Sequence, residues 1–209
     1  MQITEIFHSI QGEGVLSGLP SIFIRTTGCN LRCNYCDTTF AYEGGKKMSI
    51  HQILSAITTY PCQNICITGG EPLIQKDTNR LITELLQKKY FVCLETNGSQ
   101  PIDKIETKPS LMISMDVKTP SSNMHTHNRF ENIQFLSEKD QLKCIIQNKK
   151  DYDYAKQIIK EYNPTCPIIF QPVWGFDPRK IASWILNDNI PVRLGLQLHK
   201  IIWGEKTQK

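Results

Sequence analysis

Ser21-Ile22-Phe23-Ile24-Arg25-Thr26-Thr27-Gly28-Cys29-Asn30-Leu31-Arg32-Cys33-Asn34-Tyr35-Cys36 sets three cysteines, spaced Cys-x3-Cys-x2-Cys, directly behind an apolar, β-branched run of strand length. Such a run, ended by Gly28, reads as a buried strand over 21–26. Runs of the same kind cover 64–68, 90–95, 111–116, 141–147, 167–173 and 192–198, with another near 2–7. Helical spacing separates them. Ile50, Ile53, Leu54 and Ile57 repeat at i, i+3, i+4 and i+7, and Ser49 is placed to cap the first turn. Leu81, Ile82, Leu85 and Leu86 form a second apolar face, and Ala155, Ile158, Ile159 and Tyr162 a third. Ile181, Trp184 and Ile185 follow Asp177-Pro178, a helix-start pair. Strand and helix alternating at this rhythm build βαβ units on a mainly parallel sheet. About six such strands are too few to close an eight-stranded barrel. The predicted fold is therefore α/β, an open, partial TIM-like barrel with helices outside and functional residues at the C-terminal strand ends. Residues 119–130 are polar and predict a long loop.

The 209 residues are read as one domain, 1–209. That length buries roughly 70% of the unfolded surface without disulfide or metal staples. A hydrophobic content of 40% and a charged content of 21% exclude a disordered, collagen-like or coiled-coil chain. Lys plus Arg number 24 against 20 Asp plus Glu, and the excess of +4 is spread over pairs such as Lys46-Lys47 and Lys88-Lys89. That is too diffuse for a nucleic-acid footprint. No run approaches the roughly 18 apolar residues of a membrane span, and Glu5 and His8 interrupt the first ten residues, so a cytoplasmic chain is predicted. Its eight cysteines are then expected to be reduced, and their spacing speaks of metal or redox chemistry.

Three thiolates converging in one loop have two readings. A 4Fe-4S cluster held by three Cys leaves one iron open, whereas zinc would recruit a fourth ligand from Cys62, Cys66 or His51. Cys66, Cys93 and Cys144 lie inside apolar strands, where free Cys acts as a small hydrophobe. Cys62 and Cys166 stand in turns beside Pro61 and Pro167.

The motif Cys29-Asn-Leu-Arg-Cys33-Asn-Tyr-Cys36, with an aromatic residue before the third Cys, resembles the cluster motif of the radical S-adenosylmethionine enzymes. Gly69-Gly70-Glu71-Pro72, behind strand 64–68, resembles their glycine-rich element for the methionine amino group. Two glycines let the backbone approach a ligand closely, and Glu71 offers an anionic acceptor for an ammonium. Across nearly the whole chain, further motifs are similar to those of the 7-carboxy-7-deazaguanine synthases. They are Phe7-His8-Ser9-Ile10-Gln11-Gly12-Glu13-Gly14, Cys36-Asp37-Thr38, Leu94-Glu95-Thr96-Asn97-Gly98, the run from Met115 to Ser122, Gln171-Pro172, and Leu196-Gln197-Leu198-His199-Lys200.

The resemblance implies a radical SAM core with a 4Fe-4S cluster on Cys29, Cys33 and Cys36. S-adenosylmethionine would lie against Tyr35, Asp37, Gly69, Gly70, Glu71, Gly98, Ser114, Asp116, Lys118 and Gln171. The implied substrate is 6-carboxy-5,6,7,8-tetrahydropterin, held by Ile10, Gln11, Gly12 and Glu13, with Gln11 and Glu13 toward its donor-rich edge. Arg25 would grip the carboxylate as a planar fork, and Thr96 and His199 complete that side. Thr38 is the implied ligand of a Mg2+ that also contacts the substrate. Read without the resemblance, Arg25 is a strand-end ion pair, Thr38 a turn cap, His199 structural, Tyr35 core packing and Lys118 solvated. The segment 114–118 departs from the Ser-Pro-Lys form of some relatives, which leaves open the residue that meets S-adenosylmethionine.

On the implied mechanism, an external flavodoxin- or ferredoxin-like donor reduces the cluster and S-adenosylmethionine yields a 5'-deoxyadenosyl radical. Hydrogen leaves the pterin C6, the ring contracts with loss of ammonia, and returning hydrogen regenerates the cofactor. That makes the chain a carbon–nitrogen lyase on the route to the 7-deazapurines queuosine and archaeosine of transfer RNA, and implies a homodimer. Two alternatives stand beside it: an activase for glycyl-radical enzymes and a non-enzymatic zinc-binding interaction module. The polar tail 204–209 carries no assigned role.

Overall fold

In the computed structural model, which describes residues 1–204, β1 (Gln2–Ile10) and β2 (Pro20–Thr26) form an antiparallel hairpin edged by the two-residue β3 (Lys46–Lys47). From β2 the sheet continues in parallel through β4 (Asn64–Gly69), β5 (Phe91–Thr96), β6 (Leu111–Val117), β7 (Gln141–Ile146), β8 (Ile168–Pro172) and β9 (Arg193–Leu194). The strand order is β3-β1-β2-β4-β5-β6-β7-β8-β9, so among the described residues the two ends stay unpaired and the α/β barrel is open.

Helices on the outer face make the crossovers: α1 (Ile50–Ile57), α2 (Thr78–Gln87), α3 (Lys149–Tyr162) and α4 (Pro178–Asp188), followed by a short α5 (Leu198–Trp203). Helix α1 starts as its sequence predicts. Ser49 Oγ accepts from Gln52 N at 3.2 Å, and the Gln52 side chain accepts from Ser49 N at 2.8 Å, a reciprocal capping box. One buried cluster joins α1 and α2 to the outer side chains of β2, β4 and β5, among them Ile22, Ile24, Ile65, Ile67, Val92 and Leu94. A second joins α3 and α4 to Val117, Leu142, Cys144, Ile146 and Phe170. Strand alternation then fixes what faces inward. With those residues outside, Phe23, Arg25, Thr68, Glu95, Asp116, Lys143 and Gln171 point into the barrel.

Three expectations change. The strand predicted over 192–198 shrinks to Arg193–Leu194, because Gly195 seats against β8 and the chain then turns into α5. A Cβ at Gly195 would come within 2.6 Å of Ile169 Cγ2, and Gly195 N donates to Phe170 O at 2.9 Å. The parallel run holds seven strands once that short β9 is included, against about six expected. The loop over 119–130 carries short 3₁₀ turns at Pro120–Ser122 and His125–His127. All eight cysteines are free, with Cys62 and Cys166 buried in their turns. Residues 205–209 of the tail lie outside the described residues. Among the described residues, no helix is long and apolar enough to cross a membrane.

Candidate active site

The C-terminal ends of the parallel strands open into a cavity of about 730 Å³. Cys29, Cys33 and Cys36, each partly exposed, line it together with Tyr35. Their loop is pinned from both sides: Gly28 N donates to Ala41 O at 2.8 Å, and Glu71 N donates to Gly28 O at 2.8 Å. Here the paired glycines are needed. A Cβ at Gly70 would stand 2.0 Å from Gly28 O and 3.0 Å from Cys29 Cβ, and one at Gly69, with φ at +137°, 2.2 Å from Thr26 O.

Burial pushes the Cys33 thiol above its ordinary range, the neighbouring Cys36 and Cys29 add to this, and Lys118 pulls against them. Three thiols converging on one wall of the cavity suit an iron–sulfur group that all three can share. Beside them, Tyr35 Oη and Gln171 Oε1 are buried with no hydrogen-bond partner among the described residues, so the wall keeps polar capacity for a ligand. Burial also drives the Tyr35 hydroxyl pKa up to about 12. The residues present therefore fit an iron–sulfur cluster with a polar ligand beside it. The fourth ligands of the zinc reading do not join them: His51 is exposed on α1, Cys62 Sγ contacts Pro20 O at 3.2 Å, and Cys66 is buried under Gln11. None of the three lines the cavity.

The barrel interior below the thiols is charged. Arg25 Nε donates to Glu5 Oε1 at 2.8 Å, and its guanidinium lies 5.7 Å from the Phe7 ring centroid and 5.6 Å from that of Phe40. Lys118 Nζ donates to Asp116 Oδ2 at 2.7 Å. Lys143 Nζ donates to Glu13 Oε2 at 2.5 Å and stands 3.6 Å from Asp116 Oδ1. Lys200 Nζ donates to Asp37 Oδ2 at 2.5 Å. Burial alone would raise the Glu13, Asp37 and Asp116 carboxyls, but the partner lysines hold all three below the usual range. The same pairs keep Lys118 and Lys143 charged against their desolvation. Glu95 differs. Among the described residues no cation pairs with it, and its oxygens accept from Gln11 Nε2 at 3.1 Å and Thr68 Oγ1 at 2.8 Å.

Residues far apart in the chain meet here. Ile10, Gln11, Gly12, Glu13, Arg25, Asp37, Thr38, Gly69, Gly70, Thr96, Asp116, Lys118, Gln171 and His199 all line the cavity with the three cysteines and Tyr35. Arg25 is thus both the ion pair and a cavity residue. Thr38 Oγ1 donates to Asp37 Oδ1 at 3.0 Å, and burial lowers the His199 pKa against the pull of Glu13 and Asp37.

Glu71, Gly98 and Ser114 do not line it. The Glu71 carboxylate is fully buried behind the cavity wall and accepts from Leu73 N at 2.9 Å, Asn97 N at 2.6 Å and Thr96 Oγ1 at 2.8 Å, so it braces the glycine turn. Gly98, with φ at +75°, lets the end of β5 approach β6, where a Cβ would meet Asp116 O at 2.4 Å. Ser114 sits one inward position below Asp116, its Oγ accepting from Gln141 Nε2 at 2.7 Å. Glu95 and Lys143 went unassigned in the sequence, although each is a lone charge inside an apolar strand, the signal of an inward position in a barrel.

The family model described as the Radical SAM superfamily matches residues 23–162. Relatives named 7-carboxy-7-deazaguanine synthase include one from Thermoplasma acidophilum, 39% identical over 98% of each chain. One from Methanospirillum hungatei is 42% identical over 97% of this chain and 85% of the relative, and one from Chlorobaculum tepidum 40% identical over 98% and 94%. Among solved structures, QueE from Escherichia coli superposes with a TM-score of 0.79 at 22% identity, covering 95% of this chain and 94% of that one. SuiB from Streptococcus suis, bound to S-adenosylmethionine, gives 0.59 at 13% identity over 82% and 48%. These two likenesses concern the fold.

Proposed function

We infer the function from one premise: this chain belongs to the radical SAM superfamily and, within it, to the 7-carboxy-7-deazaguanine synthase family. It is a radical SAM enzyme of 7-deazapurine biosynthesis that takes 6-carboxy-5,6,7,8-tetrahydropterin to 7-carboxy-7-deazaguanine with loss of ammonia. Its cofactors are a 4Fe-4S cluster, S-adenosylmethionine and Mg2+. The observation that carries the substrate reading is the Glu95 carboxylate, half-buried inside the barrel, with no ion-pair partner among the described residues and accepting from Gln11 and Thr68. A half-buried carboxylate held by neutral donors favours a ligand edge rich in N–H donors, which the reduced pterin presents.

Cys29, Cys33 and Cys36 would hold the cluster, with Tyr35, Asp37, Gly69, Gly70, Asp116, Lys118 and Gln171 beside S-adenosylmethionine. Together the bound groups supply hydrogen-atom abstraction and return. The chain's own part is placement. Arg25, its Nε committed to Glu5, keeps the outer fork of its guanidinium for the substrate carboxylate. Gln11, Glu13 and Glu95 receive the donor edge, Thr96 and His199 flank the ring, Ile10 and Gly12 close it off, and Thr38 ligates Mg2+. The two apolar clusters behind the sheet hold these groups on strand ends, so the substrate is oriented before reaction. A flavodoxin- or ferredoxin-like protein serves as reductant, and the protein works as a cytoplasmic homodimer.

The test is anaerobic reconstitution with iron and sulfide, followed by dithionite, S-adenosylmethionine, Mg2+ and the carboxytetrahydropterin, with products read by mass spectrometry. Formation of 7-carboxy-7-deazaguanine without net loss of S-adenosylmethionine is the expected result. Slow 5'-deoxyadenosine with the pterin untouched would overturn the substrate and keep the superfamily chemistry.

A further inference from the structure

Lys143 lies in β7, on no motif that the family resemblance covers, yet among the described residues its ammonium is the most enclosed cation of the interior. Its side chain is 7% exposed, against 18% for Arg25, and 11% each for Lys118 and Lys200. It reaches two carboxylates from different parts of the chain: Glu13 Oε2 at 2.5 Å and Asp116 Oδ1 at 3.6 Å. Asp116 keeps a second cation in Lys118, whereas among the described residues Glu13 forms no other ion pair and adds only the amide of Gln197, at 2.9 Å. Glu13 is therefore the carboxylate that depends on Lys143.

The loop that carries Glu13 also leans on β7. Val15 N donates to Gln141 Oε1 at 2.8 Å, and Gly14, with φ at +66°, packs so closely that a Cβ would stand 2.2 Å from the Gln141 amide. Gln141 and Lys143 are successive inward residues of that strand. The backbone contact brings the loop to the barrel, and the ion pair orients its one charged side chain.

We propose that Lys143 is a positioning residue for the substrate: it fixes Glu13 as an oriented anion facing the donor edge of the pterin and ties it to Asp116 on the opposite, cofactor side. This rests on the pterin reading above. Lys143 does not touch the reacting atoms in this role. Its removal weakens substrate binding through Glu13 and leaves the cysteine loop and its metal content intact. A residue that only filled space would affect stability and binding independently of Glu13.

The test is a double-mutant cycle read by binding. Anaerobic titration calorimetry with the carboxytetrahydropterin is run on reconstituted wild-type protein, Lys143→Met, Glu13→Gln and the double variant, with Lys143→Arg as the conservative control. Iron content and S-adenosylmethionine affinity are measured on the same samples. The expected result is that each single variant weakens pterin binding about tenfold, the double variant is no weaker than the poorer single one, and Lys143→Arg recovers most of the loss. Iron and S-adenosylmethionine binding stay near wild type. Losses that multiply in the double variant, or wild-type affinity in Lys143→Met, overturn the proposal while leaving the pterin reading in place. Wild-type protein that fails to bind the pterin overturns both. Should Lys143→Met not fold, Lys143→Gln takes its place in the cycle with Glu13→Gln, with the same coupling expected.

Discussion

Gly12 occupies a position that a methyl group cannot share. An added Cβ would stand 1.9 Å from His199 Nδ1 and 2.7 Å from Cγ, while Leu198 N donates to Gly12 O at 2.9 Å and fixes the backbone there. In Gly12→Ala the imidazole must swing out of the cavity, and because His199 Cβ would itself stand 2.9 Å away, the backbone at 199 gives by a few tenths of an ångström with the fold retained. The expected outcome is a pterin KM raised about tenfold with a near-native melting temperature, and no further loss when His199→Ala is added. A second loss on adding His199→Ala would show that the ring had stayed in place.

Glu71 sets a different residue-scale test. Burial raises its pKa from 4.5 to about 7, against hydrogen bonds from Asn97, Leu73 and Thr96. A folded-state pKa above the unfolded one means that the native protein binds this proton more tightly. The stabilisation is thus full below the ordinary carboxyl range and is lost as pH rises toward 7, by ~3 kcal/mol over that window. Glu71→Gln cannot titrate. Its deficit relative to wild type in urea unfolding should therefore narrow by that order between pH 5 and pH 8, and a constant gap would refute the shift.

At the scale of elements, most of the sheet was legible because an outer face of Ile, Val and Leu recurs in each parallel strand. Strand ends fell within a few residues of expectation for β2 and for β4 through β8. Direction was another matter: the residues near 2–7 read as a strand, but nothing local distinguishes the antiparallel β1 from its parallel neighbours. The end of the chain was misread for a physical reason. Val192, Leu194, Leu196 and Leu198 alternate as a strand does, yet Gly195 closes on Ile169, and α5 forms where Leu198 N is drawn to Gly12 O. The site divides in the same way. The cysteines and glycines announce themselves by spacing, whereas Glu95 and Lys143 acquire meaning only once the sheet curves and their strand faces become an interior. Local rules did suffice for α1, whose capping box was visible in part as Ser49. Ser49→Ala should cost about 1 kcal/mol in chemical denaturation, with no effect on metal content or turnover.

For the whole molecule, the placement of the cores decides what losing the cluster does. Both buried clusters lie between the sheet and α1 to α4, and Cys29, Cys33 and Cys36 belong to neither. The loop that carries these cysteines is held by backbone bonds to Ala41 and Glu71, which do not require the thiols. Small metal-dependent domains unfold on chelation because the metal replaces a core. Here the core is complete without it, and the thiols serve the cavity. Removing the cluster by anaerobic chelation should therefore abolish product formation while leaving far-UV circular dichroism unchanged. The melting transition should stay cooperative and within about 4 °C of the reconstituted protein, the shift that ~1 kcal/mol produces in a chain of this size. A broad, non-cooperative melt in the cluster-free protein would mean that the cysteine loop organises the strand ends, and that the cavity exists only when the cluster is bound.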